Sequence, residues 1–124
     1  MWTYQSYLDI VKEGMEADTV FLLRHDVDIS IKKAVEMAEV EAEKSLHSTY
    51  YILLTSPFYN AFSTDNIQRI KTIRELGMGI GLHYDPSVHD LSNDRMVSDI
   101  VQQSRLLETY IGKLEGVSVT FHRP

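Results

Sequence analysis

Two aspartates, Asp26 and Asp28, stand two residues apart in the stretch FLLRHDVDIS, residues 21–30. Carboxylates this close repel each other unless a positive charge lies between them. Alternation along an extended segment puts both on one side, and a bound cation turns the repulsion into attraction. The chain has five histidines, and three directly follow apolar, strand-like runs: His25 after VFLLR, His83 after MGIGL and His122 after VSVTF. Asp85 and Arg123 fall at the same ends. Carboxylate oxygen and imidazole nitrogen ligate zinc and other first-row divalent metals. One histidine at a strand end is ordinarily a hydrogen-bonded structural residue. A cluster of aspartates and imidazoles at successive strand ends points instead to a divalent metal.

The elements that must position these residues read as alternating helix and strand. Tyr4, Tyr7, Leu8 and Val11 recur at helical spacing, so residues 3–13 are expected to be an amphipathic helix. VFLLR (20–24) is a continuous apolar run, as expected of a strand covered on both faces. Ser30 opens a helix striped by Ile31, Ala34, Val35, Ala38 and Ala42. STYYILL (48–54) is a second strand. Ser63, Thr64 or Asp65 caps a helix bearing Ile67, Ile70 and Ile73 that ends at Gly77. MGIGL (78–82) is a third strand, residues 93–114 a helix, and VSVTF (117–121) a fourth strand. Successive strand ends near Arg24, Leu54, Leu82 and Phe121 lie 30, 28 and 39 residues apart. A parallel βαβ unit takes roughly 30 residues. The class is therefore α/β: a parallel sheet or part of a (β/α) barrel, with its ligand site at the carboxyl ends of the strands.

Composition narrows the partners. With 124 residues the chain supports one domain. A net charge of −6 argues against nucleic acid as the main partner. There are no cysteines, which removes disulfides, thiolate nucleophiles and thiolate metal sites. No run approaches the ~20 apolar residues of a membrane span, and MWTYQSYLDIVKEG lacks the apolar centre of a signal peptide. A cytoplasmic location is the expectation.

RHDVD, GIGLHYD and FHRP, in that order after successive strands, resemble the polysaccharide deacetylase superfamily, the NodB-homology carbohydrate esterases. The nearest likeness is to its variants associated with surface-polysaccharide biosynthesis. The resemblance spans residues 24–124 and implies a partial (β/α) barrel of the NodB-homology type, about four parallel strands with flanking helices. The family's barrel has further strands, so residues 1–124 are expected to be a single N-terminal portion of such a domain. The later motifs, with the family's general-acid histidine, have no counterpart here. The implied function is metal-dependent removal of N-acetyl or O-acetyl groups from a carbohydrate, with zinc the first choice of metal. Asp26 would be the general base, Asp28 and His83 metal ligands, and Arg123 the arginine that orients the base. Where the family places a second histidine, four residues after His83, this chain has Ser87. His122 is the favoured third ligand and His89 the alternative. His25 would support an aspartate by hydrogen bond, and Tyr84 and Asp85 would line the substrate cleft. Each of these three has a plain structural reading as well.

Two other readings compete. A catalytically inactive fragment or degenerate sugar-binding domain would leave the outer sheet edges open, with self-association through them. A haloacid dehalogenase-type phosphatase would use the aspartate pair in DVD and Thr55, but gives His83 and His122 no role.

Overall fold

A computed structural model describes residues 4–16, 21–88 and 92–123. The elements run α1 (Tyr4–Glu16), β1 (Leu23–Val27), α2 (Ile31–Glu43), β2 (Ser48–Leu53), α3 (Thr64–Glu75), β3 (Gly79–Tyr84), a 3-10 turn (Pro86–Val88), α4 (Asn93–Ile111) and β4 (Val119–Phe121). All strand pairs are parallel, in the order β1-β2-β3-β4. The sheet curls into a half-barrel flanked by helices. β1 and β4 are its two edges.

Local chemistry sets where the helices begin and end. Ser30 caps α2 by accepting the Lys33 amide, and Ser63 caps α3 by accepting that of Asn66. Of the three residues expected to cap α3, Ser63 does so. Past the end of α3, Gly77 takes φ 92°, the left-handed region a side chain disfavours.

The register divides the sheet into two faces. Paired residues share a face, and residues along a strand alternate. His25, Tyr50 and Ile80 line up on one side, with Val27 and Ile52 beyond them. This side carries the core. Val27, Tyr50, Ile52 and Ile80 pack there with Ile31, Ala34 and Ala38 of α2, Ile70 and Ile73 of α3, and Leu107 and Ile111 of α4. The opposite, concave side carries Arg24 and Asp26 of β1, Thr49, Tyr51 and Leu53 of β2, Gly79, Gly81 and His83 of β3, and Thr120 of β4. Polar side chains dominate it.

β1 departs from its expected bounds. It begins at Leu23, where pairing with Ser48 starts. Phe21 and Leu22 lie outside the ladder, and Leu22 is 95% exposed. The apolar run therefore does not mark a strand covered on both faces. The shift places His25 and Asp26 inside β1 rather than just after it, and β3 likewise extends through His83 and Tyr84. Among the described residues no helix is long and apolar enough to cross a membrane.

Candidate metal centre

Three elements deliver Asp28, His83 and His122 to one point. Asp28 follows β1 directly, and its backbone is tied down by the loop after β2. The Ser56 hydroxyl donates to the Asp28 carbonyl at 2.7 Å. The Tyr59 hydroxyl donates to the Val27 carbonyl at 2.5 Å and accepts the Leu53 amide at 3.0 Å. His83 is 2% exposed in β3, beside the buried Leu53. His122 follows β4, and its amide donates to the Tyr84 carbonyl at 2.7 Å, carrying the β3–β4 ladder one step further.

The facing atoms form a triangle. Asp28 Oδ1 is 3.1 Å from His83 Nε2 and 3.4 Å from His122 Nδ1. His83 Nε2 and His122 Nδ1 are 3.1 Å apart. A tetrahedral zinc with bonds of about 2.0–2.1 Å separates its ligand atoms by roughly 3.3 Å. Asp28 Oδ1 is also buried with no hydrogen-bond partner, an arrangement that costs free energy unless something else satisfies the oxygen. The donor set, its spacing and the orphaned oxygen all fit a divalent metal. Asp28, His83 and His122 are the group of described residues able to hold one. The alternative ligand, His89, lies outside the described residues.

Asp26 adjoins the triangle on the same concave face. Its Oδ1 accepts the Thr120 hydroxyl at 3.1 Å and lies 3.9 Å from His83 Nδ1. Thr120 Oγ1 is in turn 2.7 Å from His83 Nδ1. The other oxygen, Oδ2, accepts from Arg24 Nη2 at 3.0 Å. The cation paired with Asp26 is therefore Arg24, two residues back on the same face of β1, where the resemblance led to Arg123. Arg123 takes φ 53° and is exposed. Its charge bears instead on Asp85.

Asp85 serves its own turn. Its Oδ1 accepts the Ser87 hydroxyl at 2.6 Å and the Ser87 amide at 2.9 Å. The Ser87 hydroxyl, more than the nearby charges of His122 and Arg123, holds this carboxyl below its usual range. Asp85 thus caps the 3-10 turn, and Ser87, at the position where the resemblance places a second histidine, lies inside it.

His25 and Tyr84 lie on the helical side of the sheet, because each is one residue out of phase with a concave neighbour. His25 Nε2 bonds Glu41 Oε1, and Tyr50 donates to the same oxygen at 2.7 Å. The Tyr7 ring meets His25 edge-on at 5.7 Å. Tyr84 is buried, and its hydroxyl donates to Asp99 Oδ2 at 2.8 Å. Burial, then the Asp99 carboxylate, pushes that hydroxyl up to about 12. Neither residue reaches the metal triangle; both tie helices to the sheet, His25 through Glu41 of α2 and Tyr84 through Asp99 of α4. Thr120, Arg24 and Glu41 are polar partners that the motifs did not single out.

No family model, curated protein or solved structure matches the chain.

Proposed function

We propose that this protein is a metal-dependent hydrolase of the NodB-homology deacetylase type, acting on acetyl groups of a carbohydrate, with zinc as its metal. One observation carries the reading: Asp28, His83 and His122 present three ligand atoms at zinc-like spacing, with a second carboxylate, Asp26, placed beside them to handle a proton. Two carboxylates in two roles suit hydrolysis better than simple metal storage.

Bound there, a divalent metal would supply Lewis-acid polarisation of an acetamide carbonyl and a more acidic water. Asp26 accepts the proton of the attacking water as the C–O bond forms. Arg24 and Thr120 hold one carboxylate oxygen each, so Asp26 reaches the water without searching rotamers. The C–N bond then breaks, and the proton taken by Asp26 goes to the departing amine, giving acetate and a free amino sugar. Tyr51, in register with Asp26, and its partner Ser118 offer hydroxyls on the concave face to a sugar.

The test is zinc titration followed by acetate release from N-acetylglucosamine oligomers. Stoichiometric zinc binding and zinc-dependent acetate release are expected. Absence of zinc binding at micromolar protein, or acetate release unaffected by chelation, overturns the proposal.

A further inference from the structure

We infer that Thr120 is a positioning residue that fixes the tautomer of His83 and couples it to Asp26. For the metal itself the inference rests on the function proposed above; the tautomer stands on geometry alone.

The argument is a count of protons. The Asp26 carboxylate, paired with Arg24, has only acceptor atoms to offer. At 3.1 Å from Asp26 Oδ1, Thr120 must therefore be the donor. A hydroxyl has one proton, so once it points at Asp26 only lone pairs remain for the second contact. That contact is His83 Nδ1, at 2.7 Å. His83 must donate from Nδ1. In the neutral ring Nε2 is then the bare lone pair, facing Asp28 Oδ1 and His122 Nδ1 at 3.1 Å each. The relay thus prepares the ligand form of His83 before any metal arrives. Thr120 is 6% exposed, so water does not readily replace its hydroxyl. The same hydroxyl restrains Asp26, so one side chain sets both a ligand and the proposed base.

The position also has a backbone reason. Thr120 pairs in register with His83 across β3 and β4, which puts the two side chains next to each other on the concave face. Asp26 on β1 is two strands from His83 and three from Thr120 in order, and the curl of the sheet brings it within reach of both.

The experiment measures the ring nitrogens of His83 by 15N-detected NMR on the metal-free 124-residue chain, then titrates zinc. Wild type should show the Nδ1–H tautomer. Thr120→Val keeps the shape and removes the hydroxyl; it should mix or reverse the tautomer and weaken zinc binding about ten- to hundredfold, the range for losing a hydrogen-bonded support of a ligand. Thr120→Ser restores the hydroxyl and should restore both readouts. Asp26→Asn reverses the relay by another route: its amide donates to Thr120, which then donates to Nδ1 and moves the ring proton to Nε2. This exposed-edge substitution decides the matter if Thr120→Val does not fold. An Nε2–H tautomer in wild type, or the wild-type tautomer in a folded Thr120→Val and in Asp26→Asn, overturns the inference. A wild-type chain that binds no zinc refutes the proposed function, while the tautomer result still stands or falls by itself.

Discussion

Asp28 Oδ1 and His83 Nε2 lie 3.1 Å apart, yet the buried oxygen makes no hydrogen bond. Proximity without alignment is what two ligand atoms show when both aim at a third point. His122 Nδ1, 3.4 Å from the same oxygen, completes that aim. Asp28→Ala, His83→Ala and His122→Ala should therefore each weaken zinc binding by more than about 100-fold, beyond the usual loss of an outer support. Ser87→Ala, whose hydroxyl is spent on Asp85, should leave zinc affinity unchanged. Calorimetric titration of the four variants separates these outcomes. Equal affinity in His122→Ala and wild type would remove His122 from the site.

The pairing of Asp26 with Arg24 makes a different division. Their side chains are 26% and 58% exposed, respectively, and ion pairs this open to water contribute less than about 1 kcal/mol. Arg24→Ala should thus barely move the midpoint of chemical denaturation. Under the proposed function its effect should fall on acetate release, through kcat rather than KM, because it frees the proposed base and leaves the proposed ligands alone. Arg123→Ala, remote from Asp26 in hydrogen bonding, should spare kcat. If Arg123→Ala loses the rate and Arg24→Ala keeps it, the base is oriented as the family resemblance implies and not by Arg24.

Much of this arrangement was legible in the chain. The strand–helix alternation follows from apolar spacing and from caps such as Ser30 and Ser63. The convergence of Asp28, His83 and His122 follows from parallel order, because each lies at a carboxyl end. Of the partners of Asp26, one was harder to read. Thr120 reaches it only through register and curl, whereas Arg24, two residues back on the same face of β1, follows from strand alternation alone. A clue did exist in SVTFH, where Ser118, Thr120 and His122 alternate and so share a face. His25 and Tyr84 were drawn to the site by adjacency to Asp26 and His83. In a strand, adjacency means the opposite face, and both turn to the helices. The bounds of β1 misled because Phe21 and Leu22 are apolar but unpaired.

Gly81 marks the closest approach on the concave face. Tyr51 crosses over it to bond Ser118, hydroxyl to hydroxyl, at 2.7 Å. A Cβ at position 81 would come within 2.6 Å of the Tyr51 ring and 2.8 Å of the Ser118 carbonyl oxygen. The ring can swing aside; the carbonyl belongs to the chain leading into β4 and accepts the Leu82 amide at 2.8 Å. Gly81→Ala should therefore cost about 1–3 kcal/mol, the range for overpacking. Adding Tyr51→Ala should recover only part of it. Full recovery in the double variant, read by urea denaturation, would show that the backbone contact yields freely.

Glu41 should govern part of the acid limit of the fold. It is 0% exposed, and burial alone would raise its pKa. Hydrogen bonds from His25, Ser48 and Tyr50 outweigh that burial, so the carboxyl sits below its ordinary value. A carboxyl depressed in the folded state binds fewer protons there than in the unfolded chain, so stability rises with pH across the interval between the two values. The contribution is complete above the unfolded value of about 4.3, and it is lost as pH falls through the lower folded value. Thermal midpoints taken from pH 7 to pH 3 should fall for wild type. In Glu41→Gln the amide keeps the shape but has no charge to lose. That variant should be less stable at neutral pH and should show a shallower acid slope. Asp85 is depressed too, so Ser87→Ala is measured alongside to isolate its share. If Glu41→Gln follows the wild-type slope in parallel, the acid sensitivity lies elsewhere and the buried His25–Glu41–Tyr50 cluster does not set it.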